Sequence, residues 1–139
     1  MKNMALLIDT NVLLDWLLKR PPFVGAAEKI MEHCFNGNVD GYLASHSLTN
    51  VFYITRKDYS VEERKDIIRL LCVKLKVIGI DLQRILDAID SDGFGDLEDA
   101  LQVQCAYDEG MDYIVTRNIN DFTASKVKAL LPEEFLKLV

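Results

Sequence analysis

Two carboxylates carry the first chemical suggestion in this chain. Asp9 closes the apolar run Ala5-Leu-Leu-Ile8, and Asp99 follows Asp96 by three residues at the opening of a helical pattern. A buried strand that ends on a carboxylate sets it at a sheet rim, where open α/β folds bind ligands. Asp96 and Asp99, at i and i+3, share a helical face near its amino end. A third polar stretch, Thr116-Arg117-Asn118-Ile119-Asn120-Asp121-Phe122, follows another short apolar run. Thr116 offers a hydroxyl donor, Asn118 an amide oxygen and Asp121 a further carboxylate. Each also has an ordinary role. Asp9, Thr10, Asn11 and Asp96 suit helix caps, Asp99 suits a helix amino end, and Asn118 and Asp121 suit a turn. Gathered at one edge, they make a set of hard oxygen donors that fits Mg2+ or Mn2+ better than zinc.

The surrounding pattern has to bring these residues together. After Asp9, Leu13, Leu14, Leu17 and Leu18 recur at helical spacing, and Arg20-Pro-Pro22 stops that helix. Helical spacing resumes over 23–36 with Gly37 at the cap position. Gly41–Ala44 reads as a second strand, and Ser45 or Ser47 as the cap of a third helix. Ser60 and Glu63 form a capping-box pattern that opens a helix over 61–74. Residues 76–80 read as a strand, 82–89 as a helix, 90–95 as a loop and 97–107 as a helix that Gly110 ends. Residues 113–116 read as a strand and 118–122 as a polar turn. The tail reads as a helix over 124–131, interrupted by Pro132, with an edge strand over 134–138. Strands alternating with helices imply a parallel sheet covered on both faces. Right-handed crossovers put the carboxyl ends of parallel strands on one rim, so Asp9 and Thr116 meet there.

Composition narrows the function. The chain has 139 residues, half of them apolar, which suits a single domain over 1–139 with a real core. A net charge of −6 argues against an extended basic surface for duplex nucleic acid. It leaves room for an acidic metal pocket, because a bound cation reverses the local field. No apolar run is long enough to span a bilayer and no signal-peptide pattern opens the chain, so a cytoplasmic location is expected. Cys34, Cys72 and Cys105 lack metal or disulfide spacing and read as small buried residues. Glu98 is rotated about 100° from Asp99 on an ideal helix and reads as facing solvent or a base.

Asp9-Thr-Asn-Val12, then Glu98-Asp-Ala-Leu101, then Thr116-Arg-Asn118 and Asp121-Phe122, in that order, resemble the PIN-domain family. The likeness runs from the first strand to Phe122 and is strongest to the small prokaryotic VapC-type toxins of toxin–antitoxin pairs. It implies a three-layer α/β/α, Rossmann-like PIN fold and a metal-dependent ribonuclease acting on RNA with Mg2+ or Mn2+. Its implied products carry 5′-phosphate and 3′-hydroxyl ends. Asp9 and Asp99 match the family's acids. Asn118 falls where Asp or Asn is found, Asp121 matches the Asp-Phe pair, and Asp96 is an outer ligand candidate. Asn11, Thr116 and Arg117 join them as substrate or supporting residues. Asn50 stands where the family carries an acid on the helix after the second strand, which puts a two-metal site in doubt. The resemblance also implies a small antitoxin partner and a homodimer, with Leu14, Trp16, Leu17, Phe52 and Tyr53 as interface candidates. The rival reading is a non-catalytic PIN-fold module that binds RNA or a protein.

Overall fold

The computed structural model describes residues 2–139. Five parallel strands form one sheet: β1 (Ala5–Ile8), β2 (Asp40–Ala44), β3 (Lys76–Ile78), β4 (Tyr113–Val115) and β5 (Ala129–Leu130). Their order is β3-β2-β1-β4-β5, so β1 lies at the centre. Its four residues, Ala-Leu-Leu-Ile, are all buried, as a strand covered on both faces requires. Successive side chains alternate between those faces. Leu6 and Ile8 join one hydrophobic cluster; Ala5 and Leu7 join the other.

The first cluster collects α1 (Thr10–Leu17), α2 (Val24–Phe35), α3 (Ser45–Ile54), α4 (Val61–Lys74) and the carboxy-terminal α7 (Pro132–Leu136). The second takes α6 (Leu97–Asp108), on which α5 (Leu82–Ile89) packs. Helices on both faces of a parallel sheet make the three-layer α/β/α arrangement. Among the described residues, no helix is long and apolar enough to cross a membrane.

Several local signals behave as the sequence suggests. Ser60 and Glu63 close a reciprocal capping box on α4, at 3.2 and 2.9 Å. Asp96 caps α6 by accepting from the Glu98 amide at 2.7 Å. Gly37 takes a φ of 77° just past α2, where a side chain would be strained. Gly41 is required for another reason: a Cβ there would come within 2.6 Å of Cys34 Sγ and 2.8 Å of Leu75.

Four expectations need correction. The tail is inverted: residues 129–130 pair with β4 as β5, and the helix begins at Pro132. Proline fits the first turn of a helix, where its missing N–H is not needed. Glu134 then accepts from the Leu131 amide at 2.9 Å and Phe135 is fully buried. Helix α3 takes no side-chain cap from Ser45 or Ser47, and Ser47 turns inward. Cys72 is exposed, while Cys34 and Cys105 are buried. Leu14 is buried in the core and is unavailable to an interface; Tyr53 is exposed.

Candidate metal centre

β1 and β4 run side by side with Ile8 opposite Val115, so the next residues, Asp9 and Thr116, emerge together. The Asp9 amide donates to Val115 O at 3.0 Å. Thr116 Oγ1 donates to Asp9 Oδ2 at 2.8 Å and accepts from the Asn118 amide at 3.0 Å. Asp9 occupies the cap position of α1 but makes no side-chain cap; its carboxylate is turned to Thr116 instead. Only 4% of Asp9 is exposed. Burial pushes its pKa up to about 6, opposed by hydrogen bonds from the Thr116 hydroxyl and the Thr10 backbone amide and helped by the nearby charges of Glu98 and Asp121.

α6 supplies the second carboxylate. Its cap, Asp96, orients the first turn so that Asp99 enters a polar cleft of about 290 Å3 shared with Gly93, Gly95, Asp96, Asn120 and Asp121. Asp99 is half-buried, and its pKa rises to about 7. Desolvation is the largest cause, followed by repulsion from Asp96, Asp9, Asp121 and Glu98. Asp121 comes from a 3-10 turn over Ile119–Phe122, whose Asp121 amide donates to Asn118 O at 2.9 Å. Glu98 and Asp121 thus act on Asp9, and Asp96, Asp9, Asp121 and Glu98 act on Asp99; every charge named here is acidic.

Other candidates lie at differing distances from this cluster. Asn11 is half-buried on the first turn of α1. Asn50 is half-buried on α3, on the helical face it shares with His46 and Ser47. Arg117 is engaged elsewhere: its Nε stands 2.8 Å from Asp15 Oδ2, and its guanidinium lies 4.2 Å over the Phe23 ring.

No site role is read from the sequence for Gln102 or Asp15, and its readings of Glu98 as facing solvent or a base and of Ser47 as a helix cap are both corrected here. Glu98 is turned inward, accepting from Thr10 Oγ1 at 3.4 Å and adding to the charge felt by Asp9 and Asp99. Gln102 and Ser47 are fully buried polar residues beneath it. Asp15 is 1% exposed and holds Arg117 and Arg20. A signal existed for two of them. Gln102 stands three residues after Asp99 on the same face, and Asp15 is an acid amid Leu13, Leu14, Trp16 and Leu17. Burial desolvates His46 and lowers its pKa, against the pull of Glu98 and Asp96.

The donor set fits a hard divalent cation. Among the described residues, no three carboxylate, imidazole or thiol groups converge closely enough to enclose an ion by themselves. Mg2+ does not need such a cage; it keeps several waters and binds through one or two carboxylates and substrate phosphates.

Comparison with known proteins agrees with this geometry. No curated protein sequence matches the chain. A chain of the Rickettsia felis VapBC2 structure, bound to a promoter DNA fragment, superposes with a TM-score of 0.70 at 17% identity. The match covers 92% of this chain and 98% of that one. A toxin-antitoxin complex from Klebsiella pneumoniae gives a TM-score of 0.67 at 18% identity, covering 91% and 96%. Mycobacterium tuberculosis VapC20, described as a Sarcin-Ricin loop cleaving toxin, gives 0.62 at 9%, covering 78% and 86%. At these identities the likeness is one of fold. The PIN-domain sequence model, however, matches residues 5–120, from β1 through the first part of the turn that carries Asp121. With five parallel strands in the order described and this match over most of its length, the chain belongs to the PIN-domain family.

Proposed function

We propose that the chain is a divalent-metal-dependent endoribonuclease, the toxin of a cytoplasmic toxin–antitoxin pair. The observation that carries this reading is the cluster of carboxylates at the sheet rim: Asp9 after β1, Asp99 on α6 and Asp121 on the turn after β4, with Asp121 acting on Asp9 and both acting on Asp99. Ionised together they are unfavourable without a cation, and raised acid pKa values are characteristic of functional sites. Membership of the PIN family and the toxin-antitoxin descriptions of structural neighbours support the substrate and the partner.

In this reading Asp9 and Asp99 hold Mg2+ or Mn2+, with Asn118 and Asp121 as further donors and Asp96 at the margin. Held there, the ion would supply Lewis acidity, lowering the pKa of a water and polarising a phosphoryl oxygen. Thr116 keeps the Asp9 carboxylate in one orientation by donating to Oδ2. Asp9 and Asp99 must release their protons for the cation to enter, which is why their raised pKa values matter. Arg117, held by Asp15, fixes the segment carrying Thr116 and Asn118 rather than reaching for phosphate. A homodimer completes the proposal, with Tyr53 as the exposed member of its candidate residues. Light scattering at micromolar protein should give twice the chain mass; a monomer mass contradicts the dimer.

A single-turnover assay on a structured RNA tests the reading. Wild type should cleave with Mn2+ or Mg2+ and stop with a chelator, leaving 5′-phosphate ends. Asp9→Asn should bind RNA and not cleave it. Binding without cleavage by wild type in either metal would support a non-catalytic module and overturn the enzyme.

A further inference from the structure

Below the carboxylates lies a polar network that neither core packing nor helix capping explains. Gln102 is fully buried on α6 among Ala100, Val103, Cys105 and Ala106, which are buried too. Its amide nitrogen donates to Ser47 Oγ at 3.0 Å and to Thr10 Oγ1 at 3.3 Å. The two hydroxyls are 2.7 Å apart. Thr10 Oγ1 also reaches Glu98 Oε1 at 3.4 Å, the longest link. Gln102 Oε1 has no partner. An unpaired buried acceptor is a cost, so the residue serves through its two donated hydrogens.

Proton counting gives the network a direction. An ionised Glu98 only accepts, so Thr10 gives it its single hydroxyl hydrogen. Ser47 then gives its hydrogen to Thr10, and Gln102 donates to both. All four hydrogens are used, and the chain of donors ends on Glu98. It joins α6, α3 and α1, and Thr10 is the residue after Asp9. Glu98 and Gln102 stand four apart on α6, so the relay closes over one helical turn. Asn50, on the same α3 face as Ser47, contributes no charge.

We infer that Gln102 is a positioning residue that, through Ser47 and Thr10, holds Glu98 toward Asp9 and Asp99, where Glu98 supplies the negative charge that Asn50 does not. The inference rests on the metal-site reading above. The field of Glu98 at both aspartates accords with the placement.

Calorimetric titration of the metal-free protein with Mn2+ separates the two claims. Asp99→Asn should lose binding; if it binds like wild type, or wild type binds none, the metal-site reading itself fails. Glu98→Gln removes the charge at constant shape and should weaken Mn2+ binding by about tenfold or more, as lost supporting partners do. Gln102→Leu should weaken it similarly, and the double variant no further than Glu98→Gln alone, because the two act in series. A merely structural Gln102 would lower the melting temperature and leave Mn2+ affinity unchanged; that result overturns the inference, as does an additive double variant. Should Gln102→Leu fail to fold, Ser47→Ala removes the middle link and must show the same loss. Ser47→Ala with wild-type affinity would equally overturn it. Thr10→Ser, which keeps the hydroxyl, should bind as wild type, and Thr10→Val should not.

Discussion

Asp9 is a carboxylate that the fold buries before any cation arrives, and its electrostatics have a sign that can be measured. In the unfolded chain an Asp titrates near 3.8; in the fold Asp9 rises to about 6 and Asp99 to about 7. Between those values the native state holds more protons than the unfolded state, so stability falls as pH rises. The cost is fully present only well above pH 7, at about pH 8, and absent below about pH 4. Metal-free protein should therefore gain melting temperature on going from pH 7.5 to 5.5. Asp9→Asn should flatten that dependence, raise the melting point of the metal-free protein at pH 7.5, and lose most of the stabilisation that millimolar Mn2+ gives wild type. Asn50→Asp runs the other way. An added carboxylate on the face it shares with Ser47 should lower the metal-free melting point and enlarge the rise on adding Mn2+. An unchanged melting curve and Mn2+ response would place Asn50 outside the site. Asp9, Asp99, Thr116 and Asp121 were legible because each sits at a strand end, a helix start or a turn. Glu98 was not. Its inward turn depends on a hydroxyl from α1, a contact between residues 88 positions apart in sequence that no local periodicity encodes.

At the scale of elements, α1 and the segment after β4 are tied by charge as well as by the Asp9–Thr116 bond. Asp15 is buried on α1, with Arg117 at 2.8 Å and Arg20 at 3.7 Å. Removing one partner of a buried pair leaves an uncompensated charge, typically a loss of about 3 kcal/mol or more. Arg117→Met should cost about that in urea denaturation, and Asp15→Leu with Arg117→Met should recover much of it. If Arg117→Met alone is neutral, Arg20 suffices and the segment is held by other means. Helical spacing alone does not mark Asp15 as buried, since an amphipathic helix usually turns its acids outward. The tail misled for a different reason. Pro132 reads in sequence as a helix breaker but begins a helix, and residues 129–130 have too few side chains to show a strand pattern. Only the open edge of β4 makes them a strand. Helix α7 then closes one face, with Phe135 fully buried and its ring 6.1 Å from that of Tyr113. Phe135→Ala should cost about 3–5 kcal/mol of stability, as large core truncations do. A loss below about 1 kcal/mol would show that α7 is dispensable to the core.

The whole molecule carries a net charge of −6, yet its proposed substrate is a polyanion. The two are compatible where a cation stands between the carboxylates and the phosphate, and the sheet puts those carboxylates at one rim. The α/β/α architecture was legible from alternating strands and helices, because each buried strand is a short apolar run bounded by a turn. The central claim is that this rim is a metal site, and metal binding there must displace protons. The most direct measurement is calorimetric Mn2+ titration of the metal-free protein at pH 6.5 in two buffers of different ionisation enthalpy. With Asp9 near 6 and Asp99 near 7, binding should release on the order of one proton, and the release should shrink at pH 8. Absence of Mn2+ binding, or binding whose proton release is zero at pH 6.5 and unaltered by Asp9→Asn, would contradict the account.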